Sequence, residues 1–163
     1  MKPTLQHEIE QFLFREARLL DDRHWDDWLA CYHPQVEYWM PAWGDDDCLT
    51  TDPQRELSLI YYPNRDGLED RVYRIKTERS AASTPEPRTT HQVSNVELLS
   101  SNGEQHEVRY NWSTLSHRYK KTDLFFGHGL CTLMSGDNGF VIRRKKIQLN
   151  NDYINHVVDI YHL

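Results

Sequence analysis

Cysteine is scarce here and poorly spaced for chemistry. The 163 residues hold three, Cys31, Cys48 and Cys131, far apart, odd in number and with no C-x-x-C. That leaves no disulfide framework and suits a reducing, cytoplasmic compartment with thiols packed as small apolar groups. Positive charge is also in deficit: 19 Lys and Arg against 25 Asp and Glu give a net charge of −6. Nucleic acid and anionic membrane reward clustered cations, so neither is the expected partner. The one basic run, Arg143-Arg144-Lys145-Lys146, lies in a strand pattern whose alternation divides it between two faces. No apolar run approaches the length of a membrane span, and MKPTLQHEIEQ lacks the apolar core of a secretory signal. H-E-x-x-H, the P-loop, G-x-G-x-x-G and G-x-S-x-G are all missing.

What is present fits one domain over residues 1–163, long enough to bury a core. Five Trp and nine Tyr supply bulky packing material. With 27% charged residues and a mean hydropathy of −0.79 the chain is polar for its size. Such polarity belongs to a large solvated face or to polar contacts with a partner.

Along the chain, Thr4 is placed to cap a helix whose stripe is Leu5, Ile9, Phe12, Leu13, Ala17 and Leu20, with Glu16 as its polar exception. A short second helix sets Trp25, Trp28, Leu29 and Tyr32 on one side, and Pro34 is expected to end it. Val36, Tyr38 and Met40 alternate with Glu37 and Trp39 as a half-buried strand closed by Pro41. Residues 44–53 read as a loop, and Glu56–Tyr62 as a strand or an ordered buried connection. Asn64 or Asp66 caps a third helix in which Leu68, Val72 and Ile75 recur at i, i+4, i+7. Residues 84–87 form a turn. In the strand Arg88–Ser100, the change of register between Val93 and the pair Val96 and Leu98 suggests a bulge. Asn102-Gly103 favours a type I′ hairpin into a strand from Glu104 to Tyr119. Asp123–Met134 is apolar on both faces, as a central strand would be. After a turn at 136–139, the strand Phe140–Leu149 changes parity partway. The tail Tyr153–Leu163 alternates weakly, suited to the sheet edge or to a neighbour. Helices first, then a long antiparallel meander, make an α+β fold: a curved antiparallel sheet over N-terminal helices, cone-like.

A cone invites a catalytic reading. A dehydratase or isomerase would need a buried base and a donor, with Asp27 and His91 or His117, and Tyr38 or Tyr110, as candidates. A site that holds a small hydrophobic ligand without reacting it is the further alternative. The nine histidines raise a metal reading, but Cys31-Tyr32-His33 is only half of a Rieske pattern and no C-x-x-H completes it. The block Arg55–Glu97 carries the densest charge, and its arginines suit bidentate contacts across an interface.

The stretches Phe12–Tyr32, Val36–Trp43, Arg55–Glu97 and Val141–Asp152, with the Pro87-Arg88-Thr89 turn leading into His91–Asn95, resemble the small (β) subunits of aromatic-ring-hydroxylating dioxygenases. The likeness is to the benzoate/toluate group, with anthranilate dioxygenases close by. It implies a fold of the nuclear-transport-factor (cystatin-like) type. It also implies a large α subunit that carries the Rieske cluster and a mononuclear iron, assembled as a trimer of αβ heterodimers with the β subunits self-associating. Such a complex adds both atoms of O₂ across an aromatic ring, giving a cis-diol, with electrons from NADH. This chain is then expected to hold no catalytic residue, cofactor or metal, and to act structurally. Candidate interface residues are Trp43, Tyr61, Tyr62, Arg65, Arg71, Arg74, Arg79 and Arg88.

Overall fold

The computed structural model describes residues 1–77, 86–136, 139–152 and 158–163. Helix α1 (Leu5–Asp21) begins where the Thr4 hydroxyl accepts from the His7 amide at 3.2 Å. Its buried side is Ile9, Leu13, Ala17 and Leu20, with Glu16 buried among them. Arg23, at φ 57°, reverses the chain into α2 (Trp25–Leu29), which buries Trp25 and Trp28. That helix stops earlier than its apolar spacing suggests. Tyr32 opens β1 (Tyr32–Pro41) instead, and Pro34 sits exposed inside the strand. It is tolerated because the ladder is irregular between Tyr32 and Glu37, where no amide is required of it.

The edge strand β2 (Ser58–Tyr62) follows, then α3 (Asp66–Thr77), at whose start the Asn64 side chain accepts from the Asp66 amide at 2.9 Å. Leu68, Val72 and Ile75 are its buried face, as their spacing predicts. The remaining strands are β3 (Arg88–Ser101), β4 (Gln105–Arg118), β5 (Lys121–Gly136) and β6 (Gly139–Leu149). All six form one sheet in the order β2-β1-β6-β5-β4-β3, so β5 is central as its two apolar faces require. The sheet is not antiparallel throughout. β1 runs parallel to β6, because the β1–β2 hairpin docks on the edge that β6 would otherwise leave open. The α+β cone stands with that one correction.

Bulges in β3 and β6 interrupt the alternation of the sheet. In β3, Val93 faces Trp112 and Leu98 faces Val108, so β3 carries one extra residue between them, with Asn95 at φ 52°, and a second, Leu99, before Ser100 faces Glu107. In β6, Ile142 faces Leu133 and Arg144 faces Thr132, leaving Arg143 as the extra residue. This explains the parity change in the sequence. Unbroken alternation from Ile142 would turn Arg144 and Lys146 inward, whereas Lys145, Ile147 and Leu149 are the buried ones.

The tail corrects another expectation. Residues 158–163 are buried under the chain's own sheet, neither at its edge nor free for a neighbour; residues 153–157 lie outside those described. Asp159 accepts from the Ile160 amide at 2.8 Å to start a 3₁₀ turn, Ile160–His162. The His162 ring lies 4.6 Å from that of Phe125.

The hairpin turns differ from expectation too. Between β3 and β4 only Gly103 has positive φ (95°), while Asn102 Oδ1 accepts from the Glu104 and Gln105 amides at 3.0 and 2.8 Å. A type I′ turn needs positive φ at both centres. That condition is met instead at Tyr119 and Lys120 (φ 52° and 63°), between paired Arg118 and Lys121, where the sequence carries no Gly or Asn. The Arg118 guanidinium lies 4.6 Å from the Tyr119 ring centroid and helps to hold the strained pair. Lys120→Gly removes the Cβ strain, and we expect it to stabilise the chain by about 1 kcal/mol. The check is a higher denaturant midpoint at unchanged slope.

Candidate functional site

The interior of the cone is polar at one point. Glu16, on the inner face of α1, accepts from Tyr32 Oη at 2.7 Å, Trp28 Nε1 at 2.9 Å and Lys145 Nζ at 3.2 Å. Lys145 also donates to Tyr32 Oη at 3.3 Å and lies 5.7 Å from the Tyr38 ring centroid. Both charges are buried. Burial alone would raise the Glu16 carboxyl, but the Lys145 charge and the hydrogen bonds from Tyr32 and Trp28 outweigh it and hold it below its ordinary 4.5. Burial would likewise lower Lys145, and the Glu16 carboxylate reverses that, so its ammonium is held above the ordinary range. Each group keeps the other ionised. Burial pushes the phenols of Tyr32, Tyr38 and Tyr110 well above 10, and the thiols of Cys31 and Cys131 up to about 11. None of these is an anion at neutral pH.

The second cluster joins α1 to β3. The last residue of α1, Asp21, accepts from Thr89 Oγ1 at 2.9 Å, from the His91 amide at 2.9 Å and from His91 Nδ1 at 2.5 Å. A carboxylate only accepts, so the Nδ1 proton is on the histidine. Partial burial would raise the Asp21 carboxyl, and these hydrogen bonds more than offset it, leaving it below its ordinary value. The sequence had offered Asp27 as the partner of His91 or His117. Asp27 is exposed on α2, and His117 is exposed with its ring nitrogen 2.8 Å from Thr122 Oγ1. The acid that reaches His91 is Asp21, which interrupts the apolar pattern of α1 and was legible only as a helix end.

Tyr38 and Tyr110 do point inward, and among the described residues the space beside Tyr110 is tightly packed. Gly129 lets the Tyr110 ring sit where a Cβ would meet it at 2.3 Å. Tyr38 Oη, His91 Nε2, Trp112 Nε1 and Thr114 Oγ1 find no hydrogen-bond partner among the described residues. The void bordered by Glu16, His91, Tyr110, Trp112, Lys145 and Leu163 measures about 10 Å³. That is room for about one water, against roughly 300–1,000 Å³ for pockets that enclose small ligands. Neither a dehydratase substrate nor a hydrophobic ligand fits in that void. Among the described residues no three His, Cys, Asp or Glu side chains gather as a metal site. A larger concavity, between α1 and the β5–β6 hairpin, is an open surface groove.

The candidate interface residues do not share one surface. Tyr61 and Tyr62 are on edge strand β2, and Arg88 begins β3 at the opposite edge. Tyr62 is half-buried over Gly67, while Tyr61 Oη accepts from Gln54 Nε2 at 3.1 Å. Trp43 is exposed, its Nε1 donating to the Leu149 carbonyl at 2.7 Å. Arg65 is engaged within the chain, with Glu69 at 2.8 Å and the Tyr32 carbonyl at 2.9 Å. Arg71 is too: its Nε donates to both Asp159 oxygens at 2.9 Å and its NH2 group also meets Asp159, tying the tail to α3. Arg74 and Arg88 are exposed, and Arg79 lies outside the described residues.

Lys145→Met leaves Glu16 buried without its counter-ion and should cost about 3–5 kcal/mol in urea unfolding. Glu16→Gln combined with Lys145→Met leaves no unpaired charge and should cost clearly less than the single change. The Glu16 contribution is complete above pH 4.5 and lost as pH falls through its lowered value; that of Lys145 is complete below 10.5 and lost only as pH rises through its raised value. The Glu16→Gln/Lys145→Met double variant, which leaves neither charge unpaired, should therefore flatten the acid limb of the melting-temperature profile and leave the neutral plateau flat.

Known proteins place this architecture. Residues 15–156 match the family model for the ring hydroxylating beta subunit. The benzoate 1,2-dioxygenase subunit beta of Acinetobacter baylyi is 56% identical over 96% of this chain and 92% of its own. The 2-halobenzoate 1,2-dioxygenase small subunit of Burkholderia cepacia is 53% identical over 96% and 94%. The crystal structure of the beta subunit of a Burkholderia mallei benzoate 1,2-dioxygenase superposes with a TM-score of 0.84 at 48% identity, covering both chains completely. The sheet, the helical cover and these relatives lead to one conclusion: the chain belongs to the ring-hydroxylating dioxygenase beta subunits, in the benzoate-type group.

Proposed function

We propose that this chain is the structural, non-catalytic subunit of a Rieske non-haem iron dioxygenase that converts benzoate-type aromatic carboxylates to a cis-diol with O₂ and electrons from NADH. The observation that supports the non-catalytic part is the packing around Glu16, Tyr110 and Lys145, where among the described residues a void of about 10 Å³ admits no aromatic ring. The described residues do not fit an iron or iron–sulfur site, so the cluster and the mononuclear iron are assigned to a large α subunit. The names of the relatives support the substrate class. In this reading the chain joins its α subunit in a trimer of αβ heterodimers in the cytoplasm, with exposed Trp43, Arg74 and Arg88 available for contacts between subunits.

In the complex, the Asp21–His91 pair fastens α1 to β3 and takes no part in the reaction. Asp21→Asn and His91→Gln should leave kcat per folded complex within about twofold, whereas removal of a working acid–base pair costs about 10²–10⁴. The experiment is co-expression with the large subunit, followed by NADH-coupled turnover of benzoate, toluate and anthranilate. The expected result is turnover by the complex, fastest with benzoate or a toluate, and none by this chain alone. Turnover by the isolated chain, or a large kcat loss in either variant, would overturn the reading.

A further inference from the structure

Four polar side chains border the small void inside the cone, and each has hydrogen-bonding capacity left over. The Nδ1 proton of His91 is directed at Asp21, so Nε2 is a bare acceptor, and it meets no partner among the described residues. Trp112 Nε1, on the neighbouring strand β4, is likewise unmatched, as a donor. At Glu16 the hydrogen bonds from Trp28, Tyr32 and Lys145 all end on Oε1, which leaves Oε2 as an acceptor. Lys145 uses two of its three N–H donors on Glu16 and Tyr32. Two donors and two acceptors, from β3, β4, β6 and α1, thus stand around a space of about 10 Å³.

That count selects the occupant. A cation would face the N–H groups of Trp112 and Lys145, and an anion would face the Glu16 carboxylate and the lone pair of His91. Each buried group left unmatched would carry the cost of its desolvation. A water accepts two hydrogen bonds and donates two, and the void has room for about one. We propose that this void is a binding site for a single water, which accepts from Trp112 Nε1 and Lys145 Nζ and donates to His91 Nε2 and Glu16 Oε2. The water makes one network of two clusters that share no direct hydrogen bond among the described residues, the Asp21–His91 clamp and the Glu16–Lys145 pair. The second half of α1, anchored at Glu16 and Asp21, is thereby fastened to β3, β4 and β6 as a unit.

The test is nuclear magnetic resonance on the folded wild-type chain, with a crystal structure of the same chain beside it. Cross-relaxation with water should reveal a long-lived contact at the Trp112 indole proton. The ring nitrogen shifts of His91 should show Nδ1 protonated and Nε2 bare. The crystal should hold one water within about 3.2 Å of all four atoms. In the Glu16→Gln/Lys145→Met variant that water loses the Lys145 donor, and its residence time at Trp112 should shorten by about tenfold or more. If that variant fails to fold, His91→Phe, which removes one acceptor and keeps a ring, is read in the same way. A wild-type chain without the contact at Trp112, or with His91 protonated on Nε2, overturns the proposal. So does a dry void, an ion in its place, or an unchanged residence time in a folded variant.

Discussion

A carboxylate on the first helix and an ammonium on the last strand, 129 positions apart in sequence, meet inside this protein at 3.2 Å. Desolvating two charges costs several kcal/mol each, and their attraction offsets this only when the remaining hydrogen-bonding positions are filled. Tyr32 and Trp28 fill two of those on Glu16. One interaction therefore fixes the depth of α1, the seating of α2 and the start of β1, and the facing of β6. Apolar contacts alone would tolerate a helix displaced by an ångström or two; this geometry does not. The bulge at Arg143 belongs to the same constraint, because it turns Lys145 rather than its neighbours toward the helix.

Most of the fold was legible because it is written in periodicity. The stripe on α1, the i, i+4, i+7 set on α3, the two apolar faces of β5 and the parity change in β6 all predict what they build. What escaped depends on partners distant in sequence. Glu16 showed only as a blemish in a stripe and Lys145 only as one cation in a run of four, and nothing local joins them. Asp21 ends a helix in the sequence but clamps His91 in space. Arg71 carried the marks of an interface residue, since bidentate arginine serves equally well between chains and within one; the Asp159 that engages it lies in a tail whose weak pattern concealed its burial. The Tyr119–Lys120 turn was illegible for another reason: the long ladder of β4 and β5 imposes positive φ on residues that do not favour it.

A cone-like scaffold suggests a chamber, and among the described residues the space beside Glu16 and Tyr110 is filled. Tyr110 over Gly129, the tail beneath the sheet and the Glu16 network occupy it. Exposed apolar side chains, Leu115, Leu124 and Phe126, lie on the opposite side of the sheet. A reading based on composition put assembly where charge was densest.

The parallel pairing of β1 with β6 also sets an order of events on the ribosome. Residues 32–41 emerge early, but their neighbour on one side, residues 139–149, is made almost last. The same late segment brings the cation for Glu16. Until then the emerging α1–β1–β2–α3 half has an unpaired strand edge and an uncompensated acid, and only the β3–β4 and β4–β5 hairpins can close on local contacts. Synthesis thus leaves the first helices waiting for the last strand, and a nascent chain halted before β6 would expose the edge that the finished subunit conceals.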